Sequence, residues 1–227
     1  MMLQADVMLR FQGTNNQTNE PILSHPPDIN SDITLEQWLD DVIKSEKGIK
    51  LDFKYDEAVE PAMKLLQGRR SEITQPVWVN ADIFQGPNAE GSTPVNATEF
   101  KRIVLEYFPE CTLSIGWKTS WNNDPEQDDV YTQENIDEML QYCEDLEQPV
   151  TYPVRAAMLK DSWPVLKYLL EQSRAYTLTV WSSKSDEVKA EDLVYVRIDS
   201  EVDRIFYDLP EPLMNDFLQQ LNITCRT

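Results

Sequence analysis

Histidine is almost missing from this sequence: His25 is the only one among 227 residues. One imidazole excludes a two-histidine metal site or a histidine acid–base pair built from these residues. Cysteine is nearly as scarce. Cys111, Cys143 and Cys225 are odd in number and lack metal-ligand spacing, so a zinc site and a disulfide framework are excluded, though one bridge stays open. No Gly-x-Gly-x-x-Gly opens a helix, so the dinucleotide fingerprint is absent. Nor is there a Gly-x-Ser-x-Gly elbow, a P-loop or a His-Glu-x-x-His, which leaves serine hydrolases, kinases and zincins without support. No apolar run approaches the ~18 residues of a membrane span. No signal peptide is read either, because Met1 leads directly into a strand-like Leu3–Leu9. Positive charge is in short supply: 20 basic residues stand against 40 acidic ones, a net charge of −20. Such a surface repels nucleic acid and anionic membrane.

What is present suits one globular domain over residues 1–227, with 41% hydrophobic and 26% charged residues. The pattern alternates strand-like and helix-like runs. Strands are expected over Leu3–Arg10, Gly48–Lys54, Pro76–Phe84, Thr112–Thr119, Val150–Met158, Thr177–Ser183 and Arg204–Leu209. Between and after them, helical periodicity follows Thr34, whose spacing to Gln37 fits a capping box, with Gly48 as the stop. It returns over Ala58–Leu66, Thr98–Phe108, Gln133–Leu146, Trp163–Gln172, Ala190–Arg197 and Pro212–Leu221. Pro61 fits its helix only near the first turn. An acidic loop is expected over Asn122–Asp129. About seven strand–helix units result, which argues for a parallel α/β domain. A TIM-type (β/α)8 barrel needs eight. The expected fold is therefore such a barrel lacking its first strand–helix unit, with an open doubly wound sheet as the competing arrangement.

Gly48–Lys54 is the most informative strand. Ile49, Leu51 and Phe53 alternate with Lys50, Asp52 and Lys54, the period of a strand with one apolar and one ionic face. On a half-buried strand the ionic face meets water. On a barrel strand it faces the interior, where charges must pair or hold an ion. The polar residues near the C-terminal strand ends are then the site candidates: Gln4 and Asp6, His25 in the next loop, Asp52 and Lys54, Asn80 and Asp82, Lys118, Arg155, Trp181 and Asp208. An oxygen-rich pocket around Asp6 and Asp52 suits Mg²⁺ or Ca²⁺, with Lys54 and Arg155 stabilising developing negative charge. The plainer alternative makes Asp52–Lys54, Asp82–Lys118 or Asp208–Arg155 internal ion pairs and His25 an incidental surface residue.

Particular blocks resemble the menorin domain. They run from Asp6-Val7 through Pro21–Asp28, Asn30-Ser31-Asp32, Thr34-Leu35 and Trp38-Leu39 to Gly48–Lys54. They continue through Pro76–Asp82, Gly86-Pro87-Asn88, Leu113–Trp121, Gln148–Ala157, Ser162-Trp163, Leu178–Trp181 and Phe206-Tyr207-Asp208. The resemblance implies a fold shared with phospholipase-C-like and glycerophosphodiester phosphodiesterases. In those enzymes a Glu-x-Asp pair and a further acid hold a divalent ion. The matching positions are Gln4-x-Asp6 and Asp52, with His25 as the second catalytic histidine and Lys54 after the strand acid. Gln4 is neutral where an acid is expected, and the strand bearing the first catalytic histidine is missing, so both features argue against turnover by this chain. The family context implies an extracellular protein acting in cell–cell patterning, in dendrites or photoreceptors, with cell-surface or extracellular protein partners. Asn16-Gln17-Thr18, Asn96-Ala97-Thr98 and Asn222-Ile223-Thr224 are N-glycosylation acceptors in that setting. Two classes follow: an interaction protein with a relic or ligand-binding site, a pseudoenzyme in effect, or a metal-dependent phosphodiesterase acting on glycerophosphodiesters or phospholipid head groups.

Overall fold

A computed structural model of the protein describes residues 1–121 and 130–224. The acidic loop read at Asn122–Asp129 and the third cysteine, Cys225, lie outside the described residues. The chain divides into two compact units, Met1–Phe84 with Pro94–Ile115, and Gln85–Thr93 with Gly116–Thr227. Strands and helices alternate in both, and the fold is α/β with mostly parallel strand pairing.

The first unit contains β1 (Met2–Leu9), β2 (Pro21–Leu23), α1 (Leu35–Val42), β3 (Gly48–Phe53), α2 (Asp56–Gly68), β4 (Val77–Gln85, all but its last residue), α3 (Ala97–Tyr107) and the opening of β5 (Thr112–Lys118). Its strand order is β2-β1-β3-β4-β5. β1, β3 and β4 pair in parallel, and β2 runs antiparallel to β1 through Val7–Leu23, Met8–Ile22 and Leu9–Pro21. Helix α1 starts where the capping box predicts: Thr34 accepts from the Gln37 amide, and the Gln37 side chain accepts from the Thr34 amide. Two boundaries differ from the sequence reading. Gly48 does not stop α1, which ends at Val42; it opens β3 instead. There a Cβ would lie 2.2 Å from the Met2 sulfur, so the residue admits β1 rather than terminating a helix. Pro61 sits inside α2, because that helix begins at Asp56, before the apolar periodicity becomes visible. The loss is one amide donor, that of residue 61 toward Glu57.

The second unit carries β6 (Val150–Arg155), β7 (Tyr176–Trp181) and β8 (Ile205–Asp208), parallel and adjacent in that order. Its helices are α4 (Gln133–Cys143), α5 (Trp163–Glu171), α6 (Ala190–Ile198) and α7 (Leu213–Thr224). Helix α5 packs on α4 and β7, and α6 on α7. Two devices set its geometry. Buried Arg204 donates to the carbonyls of Tyr176, Leu170 and Ser173, each at 2.7 Å, which ties the end of α5 to the starts of β7 and β8. Gly86 lets its segment approach β5: a Cβ there would stand 2.7 Å from Trp117 Cβ and 2.8 Å from the Lys118 carbonyl. Trp117 in turn packs against the rings of Tyr131 and Tyr152.

Candidate functional site

Strand register brings the site of the first unit together. Asp6 on β1, Asp52 on β3 and Asn80 on β4 are direct neighbours across the sheet, and Gln4, Lys50 and Trp78 form the row before them. Because side chains alternate, these two rows share one face with Lys54, while Ala5, Leu51 and Val79 face the other way. The apolar face is covered, since α2 packs on β1 and β3. The ionic face of β3 is not solvated either: Lys50 and Asp52 are each 8% exposed. A half-buried surface strand therefore does not describe β3. Its charges are buried and must be compensated where they stand.

Asp52 is compensated by N–H donors. Lys54 Nζ donates to Asp52 Oδ2 at 2.7 Å, and Gln4 Nε2 approaches the same oxygen at 3.5 Å. Asn80 Nδ2 donates to Asp52 Oδ1 at 2.8 Å. Ser114, fully buried on β5, donates its hydroxyl proton to Asn80 Oδ1 at 2.6 Å, which turns the amide nitrogen toward Asp52. Lys54 also reaches Asp6 Oδ1 at 3.5 Å. Its ammonium thus lies between two carboxylates.

The charges perturb one another. Burial raises the Asp6 carboxyl above the ordinary aspartate value; Lys54 pulls it back, and Asp52 raises it as a like charge and hydrogen-bond partner. Burial would lower the Lys54 ammonium, yet attraction from Asp52, Asp6 and Asp82 prevails and its pKa is raised. His25 lies in the loop after β2, exposed, with Nδ1 donating to the Pro26 carbonyl at 2.7 Å. Its charge acts on Asp6, and the next link back, the Ser24 amide, donates to the Asp6 carbonyl. His25 therefore stands by the cluster rather than at an unrelated surface position.

A divalent ion suits the site in donor type but not in this arrangement. Two carboxylates and an amide oxygen are a hard-cation set. Here, however, the space between Asp6 and Asp52 is taken by the Lys54 ammonium, and Gln4 and Asn80 present nitrogen to Asp52. Among the described residues, no group of three His, Cys, Asp or Glu side chains is arranged to hold a metal. The residues as they stand do not fit the expected Mg²⁺ or Ca²⁺.

Asp82 lies on β4 in the first unit, where its charge acts on Lys54, and the remaining candidates belong to the second unit. Arg155 ends β6 and is 8% exposed. It pairs in bidentate fashion with Asp186, Nε to Oδ2 at 2.8 Å and Nη2 to Oδ1 at 2.7 Å, and lies 5.0 Å from the Trp181 ring centroid. Its carboxylate partner is thus Asp186 rather than Asp208, which is exposed at the end of β8 opposite Trp181. Lys118 is half-buried at the end of β5. Sequence reasoning passed over Ser114 and Asp186. Ser114 carried a usable signal, a lone hydroxyl in the apolar alternation of Leu113–Ile115. Asp186 carried none, since only the β7–α6 loop fold brings it to Arg155.

The profile of the Menorin N-terminal domain matches residues 1–214. The human Protein FAM151B is 44% identical over 223 residues, spanning 98% of this chain and 79% of that protein. Among solved structures, one described as Crystal Structure of SacUVDE aligns with a TM-score of 0.37 and 12% identity, covering 85% of this chain and 71% of the other.

Proposed function

The chain belongs to the menorin family, and from that premise we propose that it is an extracellular interaction protein with a phosphodiesterase-like ligand site that binds without hydrolysing. The fold we assign is one menorin-type domain of the (β/α)8-barrel type. The observation that carries the reading is the Asp6–Lys54–Asp52 cluster, with Asp52 buried and Asp6 and Lys54 half-buried. Charges are costly to bury on a strand face whose neighbours could have been apolar, so their retention points to a bound group. The ligand class is a phosphodiester head group, its anion meeting Lys54 with His25 beside it. Binding rather than turnover fits the neutral Gln4 and an Asp52 whose two oxygens are already taken by the Lys54 and Asn80 N–H groups. A net charge of −20 disfavours an anionic membrane as the source and favours a soluble diester or a protein-borne one. Asn16, Asn96 and Asn222 are all exposed, as glycosylation in a secretory route requires.

Calorimetric titration with glycerophosphocholine, paired with a choline-release assay, tests this reading. Saturable binding without release is expected, weakened about tenfold or more in Asp52→Asn and His25→Ala. Binding indifferent to both substitutions would sink the site. The match of His25, Asp52 and Lys54 to the phosphodiesterase pattern is what favours a phosphodiesterase. Release of choline that both substitutions abolish would establish that second reading instead.

A further inference from the structure

We propose that Lys54 is a tethered cation occupying the place between Asp6 and Asp52 that a divalent ion would otherwise take, so that this site is assembled without metal. The inference deepens the ligand-site reading and rests on it. An ion bound to both carboxylates must lie about 2.0–2.6 Å from an oxygen of each. The Lys54 nitrogen is already 2.7 Å from Asp52 Oδ2 and 3.5 Å from Asp6 Oδ1. The two cations compete for the same oxygens, and their mutual repulsion disfavours joint occupancy at such separations. The surroundings agree. Asp52 takes N–H groups from Lys54, Asn80 and Gln4, and the Ser114 hydroxyl holds the Asn80 amide in that sense. A metal would require oxygen from those same amides.

The test titrates the full chain with Mg²⁺ and with Ca²⁺ alone, reading calorimetric heat and thermal midpoint. Wild-type protein is expected to give no saturable heat and no ion-dependent rise in Tm. Lys54→Met, which uncovers the two carboxylates, is expected to gain saturable Ca²⁺ or Mg²⁺ uptake with a matching rise in Tm. Adding Asp52→Asn to that variant should abolish the gain. Saturable ion uptake by the wild type, lost in Asp52→Asn, overturns the proposal. So does a folded Lys54→Met that takes up no ion, since the lysine is then not what excludes it. Lys54→Gln, which keeps an N–H donor for Asp52, is the second variant and is read the same way. Should neither variant fold, the wild-type titration decides. No phosphodiester is present in this experiment, so its failure leaves the ligand reading standing. A failed glycerophosphocholine titration falls on the ligand reading alone.

Discussion

Asp6 is a carboxylate held against its preference. Burial and the facing Asp52 raise its pKa despite the attraction of Lys54. The folded chain therefore keeps this proton over a pH range in which the unfolded chain, with a value near 3.8, has released it. Folding takes up a proton there, so the associated stability is fully present below about 3.8 and is lost as pH rises through the higher folded value. At neutral pH the ionised group is a net cost. Asp6→Asn, which still offers Asp52 an N–H, is expected to raise Tm at pH 7 by a few degrees, given about 2–4 °C per kcal/mol at this chain length. The gain should shrink as the pH approaches 4, which differential scanning calorimetry across that range would reveal. A lower Tm at pH 7 would show that the Lys54 contact outweighs burial. At this scale the sequence went far. Gln4, Asp6, Asp52, Lys54 and Asn80 were legible because period-2 alternation assigns each to one face. Ser114 and Asp186 were not, because a hydroxyl or carboxylate gains its role from a partner on another element.

Elements depend on a few residues that join them. Arg204 satisfies three carbonyls at the junction of α5, β7 and β8. Arg204→Met keeps the apolar stem and strands those acceptors. The expected loss is about 3 kcal/mol or more, seen as a lower urea midpoint with an unchanged slope. An unchanged midpoint would mean that solvent reaches the carbonyls. The seven strands read from the sequence all form, since alternation and turn residues mark runs of this length. β2 was not read as a strand because three residues are too few for a period to show. Its identity is set by pairing with β1, a contact no local pattern encodes. The start of α2 was hidden for a similar reason: Asp56 and Glu57 suit a helix N-terminus electrostatically but add nothing to an apolar stripe.

For the whole molecule the dominant quantity is the charge of −20. Like charges repel more in the compact state than in the expanded one. Raising NaCl from about 0.01 to about 0.15 M shortens the screening length from about 30 to about 8 Å, so Tm is expected to rise with salt. A falling Tm would show that the surface ion pairs, such as Arg69 with Asp40 and Glu72, outweigh the net repulsion. Composition and periodicity by themselves determined the charge, the α/β alternation and the face on which the site residues lie. These are properties of single residues and of spacing along one strand. Only the tertiary structure decided that β3 is buried on both faces and that Lys54 stands between Asp6 and Asp52. It also decided that Asn80 turns its nitrogen inward and that Arg155 closes on Asp186. Each of those outcomes depends on which groups meet across strands and loops, and burial makes the meeting matter by removing the water that would otherwise serve every charge alike.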